Sequence, residues 1–145
     1  MGQNVQPRGK TIRQAAVLAI WHGRICLITS SNGKHWLVPK GHLEHGEKLS
    51  ETARQEAWEE AGLTGILQRE PLGSYLYEKY GAVHHVIVFL MQVTEVANVW
   101  PENSMRERAW LPPKQALARI EDHGLREIIR TGSAPRSQRL LTEQM

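Results

Sequence analysis

The sequence predicts a single α/β domain built around a mixed β-sheet. At 145 residues the chain has room for one hydrophobic core and not for two. Apolar residues make up 41% of the chain and charged residues 23%, which is the balance of a folded globular domain. Predicted strands stand before, between and after predicted helices, and this order is typical of a sheet layered with helices.

Apolar runs separated by turn residues define the first strands. Residues 15–21 and 25–29 are two such runs, and His22-Gly23 between them predicts a hairpin with one buried face. Residues 31–34 read Ser-Asn-Gly-Lys and predict a tight turn, because Asn-Gly supplies the positive φ that a hairpin loop needs. A short strand is predicted at 36–38, since the proline that follows cannot continue it.

A change of pattern predicts a helix over 50–61. Ser50 is the expected N-cap, and Gly62 followed by Leu63 fits a Schellman stop. Strands are then predicted near 66–67, 72–77, 83–93 and 109–111, and helices at 114–120 and 125–130, the last one ended by Gly132. We expect an ordered core of about 11–132, with a loose N-terminal arm and a loose C-terminal tail.

Charge and composition restrict the classes of function. The formal net charge is +3 and the isoelectric point about 9.2, which suits a polyanionic partner. A nucleic acid is not expected, because the sequence holds no Lys/Arg-rich block. A membrane is not expected either, since no apolar run approaches the roughly 20 residues that span a bilayer. The N-terminus lacks the apolar stretch of a secretory signal, and a lone Cys26 in an apolar run suits a reducing compartment, so we expect a cytoplasmic protein.

The acidic helix is the most informative segment. At 100° per residue, Glu59 and Glu60 lie about 60° and 40° to either side of Glu56, so that three carboxylates share one face. Like charges at these spacings repel each other. With Glu47 upstream, they form the kind of hard oxygen ligand set that Mg²⁺ or Mn²⁺ requires. The alternative is a solvated, Glu-rich surface.

The loop before the helix favours the metal site over the solvated surface. Gly41 permits a close approach of the backbone, and Lys40 beside it can meet phosphate charge. Carboxylates suited to a metal and a loop suited to phosphate form one coherent site.

The stretch 41–63 resembles the signature of the Nudix hydrolases. That signature is Gly, five residues, Glu, seven residues, and then Arg-Glu-apolar-x-Glu-Glu-x-Gly-apolar. The residues in register are Gly41, Glu47, Glu56, Ala57, Glu59, Glu60, Gly62 and Leu63. The resemblance covers about residues 12–132, and it implies a Nudix-type α/β/α sandwich around a mixed sheet, in a single domain over 1–145.

One position departs from the signature, because Gln55 stands where the family has arginine. Gln55 lies one turn before Glu59 and can donate a hydrogen bond to that carboxylate, but it cannot neutralise charge as a guanidinium does. We therefore expect the carboxylates of the helix to have no internal cation beside them.

The resemblance implies hydrolysis of a nucleoside diphosphate linked to another moiety, or of a related pyrophosphate, with Mg²⁺ or Mn²⁺ as cofactor. It implies Glu56, Glu59 and Glu60 as metal ligands. Glu47 would be an outer ligand or a support, and the backbone carbonyl next to Gly41 would complete the shell.

The resemblance leaves the general base open. Members of the family recruit the general base from the helix of the signature, here Glu56 or Glu59, or from a loop ahead of the last strand. In that loop Glu102 and Glu107 are candidates, although loops are ordinarily rich in charge and either can be a plain surface residue.

The substrate is expected to be a small-molecule polyphosphate. The signature stretch looks like that of diadenosine polyphosphate hydrolases and diphosphoinositol polyphosphate phosphohydrolases. Lys40, His42 and Lys79 are candidates for phosphate contacts and Tyr77 for stacking on a base, although a tyrosine at a strand end is ordinarily amphipathic packing. Two alternatives stand beside this function: an RNA 5′-pyrophosphohydrolase, and a catalytically weak module that senses a nucleotide. The sequence leaves the oligomeric state open.

Overall fold

Eight strands and three helices make up residues 10–133, the part of the chain that the computed structural model describes. The strands are β1 (Thr11–Trp21), β2 (Arg24–Thr29), β3 (Trp36–Leu37), β4 (Lys40–His42), β5 (Leu63–Leu67), β6 (Gly73–Lys79), β7 (Ala82–Val96) and β8 (Arg108–Leu111). The helices are α1 (Leu49–Ala61), α2 (Pro113–Arg119) and α3 (His123–Ser133). The expected arm and tail concern residues 1–9 and 134–145, which lie outside the described residues.

The strands form one mixed sheet. Five of them run in the order β3-β2-β1-β7-β5, while β4 pairs with β1, β6 with β7 and β8 with β2. β1 and β7 are parallel, from Thr11 opposite Val83 to Ile20 opposite Gln92, and the other pairs are antiparallel. The mixed sheet predicted from the sequence is confirmed.

Helices cover both faces of the sheet. On one face the fully buried Ala53, Ala57 and Ala61 of α1 pack with sheet residues such as Val17 and Phe89. Alanine side chains this small let the helix lie close to the strands. On the other face α2 and α3 pack with a second cluster of sheet residues, which includes Leu18 and Val88. The result is an α/β/α sandwich, as the resemblance implied.

Tight turns connect neighbouring strands, and the one at His22-Gly23 is predicted from the sequence. His22-Gly23 joins β1 to β2 with φ values of 52° and 74°, and Tyr80-Gly81 joins β6 to β7 with 52° and 73°. Two consecutive positive φ values match the twist of a two-residue hairpin loop. Gly62, with φ of 69°, ends α1 as predicted, and its N–H donates to the carbonyl of Trp58.

Three expectations about element boundaries are wrong. Helix α1 begins at Leu49 with Lys48 as N-cap, not Ser50, and the Lys48 N–H donates to the Glu51 carboxylate (2.8 Å). Residues 40–42, expected as a loop, form β4 because their backbone pairs with β1. Gly132 does not end the last helix, which continues to Ser133. A Cβ at Gly132 would lie 2.6 Å from a Leu18 methyl and 2.7 Å from a Leu72 methyl, so the helix packs closely against its neighbours at this glycine.

Candidate active site

Strand β4 separates two halves of the site. Lys40, Gly41 and His42 pair with successive residues of β1, and neighbouring residues of a strand point to opposite faces of the sheet. Gly41 lies against α1. Lys40 and His42 lie on the other face, where their side chains meet aromatic residues of β6 and β7.

Glycine at position 41 makes room for the carboxylate of Glu56. A Cβ at this position would lie 2.3 Å from the carboxyl carbon of Glu56 and 2.4 Å from its Oε2. Real Cβ atoms do not approach other atoms so closely. The close approach predicted for this glycine is therefore made by a side chain of the acidic helix.

Four carboxylates form what we call the carboxylate cluster: Glu56, Glu59 and Glu60 of α1, and Glu102 of the loop before β8. Glu60 is the most buried of the four, with 8% of its surface exposed. Its Oε1 accepts a hydrogen bond from the Lys40 N–H (3.0 Å), and its Oε2 accepts one from Arg106 (3.1 Å). Burial raises the pKa of Glu60, and these two partners act in the opposite direction.

The surroundings of Glu56 disfavour its charged form. It is half-buried, and burial is the main reason why its pKa rises to about 8. The negative charges of Glu60, Glu59 and Glu102 raise the pKa further. A carboxylate that is both desolvated and surrounded by like charges is stabilised when a cation binds beside it.

Glu59 and Glu47, the other two carboxylates of the signature, accept hydrogen bonds from neighbouring side chains. Glu59 accepts a hydrogen bond from the amide of Gln55 (2.9 Å), as predicted. Glu47 accepts one from the hydroxyl of Thr52 (2.8 Å), which lies one turn before Glu56 on α1. Glu47 is thereby attached to the N-terminal part of the helix.

The carboxylates are not arranged as a finished metal site. Within residues 10–133, no three His, Cys, Asp or Glu side chains stand together so that they could hold a metal ion as they are. The oxygens of Glu60, Glu59 and Glu47 point to protein donors instead. Their chemistry nevertheless fits a hard divalent cation, because each oxygen that accepts one hydrogen bond keeps another lone pair.

Arg106 is the residue of this site that sequence reasoning missed. Its guanidinium donates to Glu60, to Glu102 (2.7 Å) and to the carbonyl of Thr29 (2.9 Å), and 11% of its side chain is exposed. The expectation that the carboxylates have no internal cation is therefore wrong. An arginine four residues after a glutamate in a polar loop was the available signal, but nothing local shows that it reaches a helix 46 residues away.

The structure separates the two loop glutamates that the sequence offered as general bases. Glu102 belongs to the carboxylate cluster through Arg106 and is one of the charges that act on Glu56. Glu107 is fixed to the end of β2, where its N–H donates to the Thr29 hydroxyl and its carbonyl accepts from the Thr29 N–H. It lines a cavity whose other lining residues include Thr29, Asn103 and Arg106.

The face of β4 opposite the cluster carries the predicted substrate residues. Lys40 Nζ lies 5.6 Å from the centre of the Tyr77 ring, and burial lowers the pKa of this lysine. Tyr77 stacks on His84 at 4.5 Å and donates its hydroxyl proton to Gln14 (2.8 Å). His42 meets the edge of His84 at 6.1 Å. Lys40, His42 and Tyr77 are therefore brought together.

Lys79 and His84 are further residues of this face. Lys79 lies farther along β6, where its Nζ is 5.2 Å from the centre of the Tyr80 ring, and its charge acts on Lys40. His84 is 7% exposed, and its Nδ1 is buried without a hydrogen-bond partner. The structure places His84 in the stack behind Tyr77.

A cavity of about 450 Å³ adjoins Lys40 on this face. Its lining is mixed, with aromatic rings beside charged groups from the turn between α2 and α3. Lining residues include Trp36, Lys40, Tyr75, Tyr77, Arg119 and Asp122. Trp36, which packs partly against the core, thus also borders a space large enough for part of a small-molecule ligand.

The chain is similar to known proteins in sequence and in fold. The family model described as the NUDIX domain matches residues 10–131. Nudix hydrolase 12, mitochondrial, of Arabidopsis thaliana is 40% identical over 131 residues, which cover 81% of this chain and 64% of that protein. Diphosphoinositol polyphosphate phosphohydrolase 2 of Rattus norvegicus is 32% identical over 102 residues, covering 68% and 55%. A solved C. elegans Ap4A hydrolase binary complex shares the fold with a TM-score of 0.65 at 19% identity, covering 82% of this chain and 93% of that one.

This chain spans about half the length of the curated relatives it matches. Their names include mitochondrial and chloroplastic proteins, so that the cytoplasmic location of this chain stays a prediction. Among the described residues, no helix has both the length and the apolar character to cross a bilayer.

Proposed function

The chain belongs to the Nudix hydrolase family, and from that membership we propose that it is a divalent-cation-dependent pyrophosphohydrolase. It would cleave a phosphoanhydride bond in a small-molecule polyphosphate: a dinucleoside polyphosphate, a diphosphoinositol polyphosphate or a related nucleoside diphosphate derivative. The observation that carries the proposal is the position of Gly41. This glycine brings the backbone of β4 against Glu56 of the acidic helix.

The cofactor in this proposal is Mg²⁺ or Mn²⁺. Glu56, Glu59 and Glu60 would hold it, with the backbone carbonyl next to Gly41, and Glu47 would act as an outer ligand or as a support. The donor chemistry supports this assignment, because all of these groups are hard oxygen ligands. When bound, the cation supplies neutralisation of phosphate charge and makes water easier to deprotonate.

The protein's own residues would bind and orient the substrate. Lys40 lies at the junction of the two halves, since its backbone N–H holds Glu60 and its side chain borders the cavity. We assign its ammonium group to the phosphates that are not cleaved, together with His42 and Lys79. Tyr77 and the cavity would receive the rest of the substrate.

The proton acceptor would come from the carboxylate cluster. Glu102 is the loop candidate that lies beside Glu56 and Glu60, and Glu56 and Glu59 are the candidates on the helix. Glu107 stays the second loop candidate, because its backbone is paired with Thr29, whose carbonyl accepts a hydrogen bond from Arg106 beside the cluster.

The decisive experiment is a panel of nucleotide, dinucleotide and inositol pyrophosphates, assayed with Mg²⁺ and Mn²⁺ and read by product identity. We expect hydrolysis that stops in excess chelator. Glu60→Gln should lower kcat by at least about a hundredfold, the scale of losing one electrostatic stabiliser of the transition state. The exposed Glu70→Gln is the matched control and should keep the wild-type rate.

Two outcomes would contradict the proposal. Hydrolysis that persists undiminished in excess chelator would exclude the metal-dependent mechanism. Nucleotide binding without hydrolysis of any compound in the panel would instead favour a sensing module.

A further inference from the structure

Arg106 connects three separate parts of the chain at the carboxylate cluster. It lies in the loop before β8 and contacts Glu60 of α1, Glu102 of its own loop and the carbonyl of Thr29 at the end of β2. With 11% of its side chain exposed, the guanidinium is largely removed from water. A charge in this position must be paired and hydrogen-bonded to be tolerated, and both of its ion pairs are at hydrogen-bonding distance.

The contacts divide the acidic helix into two flanks around Glu56. On one flank Gln55, a neutral residue, holds Glu59. On the other flank Arg106 holds Glu60, whose second oxygen accepts the Lys40 N–H. Because the helix itself carries no cation at position 55, the positive charge that contacts the cluster within residues 10–133 comes from the loop.

We propose that Arg106 is the positioning residue of the carboxylate cluster. It fixes the directions of Glu60 and Glu102 before any cation binds, and it supplies the positive charge that Gln55 does not. The expected effect of Arg106 on kcat rests on the proposed function. The expected effect on metal binding can be measured without a substrate.

Arginine is suited to this task for a geometric reason. A planar guanidinium presents several N–H donors in a fixed fork, so that one side chain can orient two carboxylates and a carbonyl at once. A lysine has one compact ammonium group on a flexible chain and can keep the charge without keeping all three directions. Arg106→Lys therefore separates charge from positioning.

The test measures thermal unfolding of the metal-free protein and of the protein with saturating Mg²⁺, together with kcat and KM on the best substrate of the panel. Arg106→Gln should lower the Tm of the metal-free protein, because Glu60 and Glu102 then repel each other without a counter-charge. Mg²⁺ should relieve that repulsion, so the rise in Tm caused by Mg²⁺ should exceed the wild-type rise. We expect kcat to fall by about tenfold or more, with a smaller change in KM, because misplaced groups affect the chemical step.

Two further variants serve as controls. Arg106→Lys should show nearly the wild-type rise in Tm with Mg²⁺ but recover only part of kcat, and it remains informative if Arg106→Gln does not fold. Arg108→Gln removes a neighbouring arginine that donates to the carbonyls of Ala61 and Ala97. Within residues 10–133 this arginine forms no salt bridge with a carboxylate. It should lower the Tm equally with and without Mg²⁺.

The inference is overturned if Arg106→Gln behaves like Arg108→Gln, with a rise in Tm caused by Mg²⁺ that equals the wild-type rise. It is also overturned if Arg106→Lys restores kcat completely, since charge alone would then suffice. Absence of hydrolysis by the wild-type protein would instead contradict the proposed function, while the Mg²⁺ measurements would still decide the role of Arg106.

Discussion

Substitution of Gly41 by alanine tests the contact on which the proposed site depends. The added methyl group would lie 2.3, 2.4 and 2.7 Å from three side-chain atoms of Glu56, whereas ordinary contacts begin near 3.4 Å. The Glu56 carboxylate must therefore retreat by about 1 Å. A displacement of this size in a catalytic group costs about a hundredfold in rate, so we expect kcat to fall by that factor.

The same substitution should have little effect on stability. The atoms that the methyl group meets belong to the end of a flexible side chain, which can move without disturbing the backbone. Overpacking would be partly offset by the lower entropy of the unfolded chain when glycine is replaced, so the free energy of unfolding should change by about 1 kcal/mol or less. Urea unfolding and steady-state kinetics on the same preparation measure the two effects.

Gly65→Ala provides the opposite case. A Cβ at Gly65 would lie 2.3 Å from the backbone carbonyl oxygen of Gln92, which a strand pair cannot easily move. We expect a loss of stability of about 2 kcal/mol or more with kcat per folded molecule unchanged. The reasoning fails if Gly41→Ala keeps kcat within about threefold of the wild-type value, or if it loses activity only in proportion to unfolding.

Three further predictions concern charge at the site. Because the Glu56 pKa rises from 4.5 to about 8, the folded state binds more protons than the unfolded state between these values. The metal-free protein should therefore lose stability in urea unfolding as the pH rises from about 5 to 8, and Glu56→Gln or added Mg²⁺ should reduce that loss. Gln55→Arg should raise the free energy of unfolding of the metal-free protein by about 0.3 to 1 kcal/mol, since it places a cation one turn from Glu59; an unchanged value in the same assay would contradict this. Lys40→Ala should weaken binding of long polyphosphate chains more than of short ones in calorimetric titrations. Equal losses of affinity for both chain lengths would contradict the assignment of Lys40 to the phosphates that are not cleaved.

Local patterns in the sequence were sufficient to predict the parts of the site that lie on one element. The angular positions of Glu56, Glu59 and Glu60 follow from helical geometry, and the hydrogen bond from Gln55 to Glu59 follows from their separation of one turn. The hairpin turns were predictable for the same reason, because the φ values that glycine and its neighbour adopt are a local property.

Contacts between distant segments could not be predicted in this way. The ion pair between Arg106 and Glu60 depends on how the loop before β8 lies over α1, which is set by the pairing of β8 with β2. The role of Gly132 depends on helix–sheet packing against Leu18, and a glycine near a helix end otherwise resembles a stop. Sequence spacing contains no information about either distance.

The arrangement of β4 explains how one short strand can serve two kinds of chemistry. Gly41 faces the acidic helix and leaves room for Glu56, while Lys40 on the opposite face borders the cavity. The backbone between these two side chains is itself part of the site, because the Lys40 N–H donates to Glu60. A change in the position of the strand would therefore move the carboxylate cluster and the Lys40 side chain together. Under the proposed function, the cation beside Glu56 and the uncleaved phosphates assigned to Lys40 would therefore be held at a fixed separation.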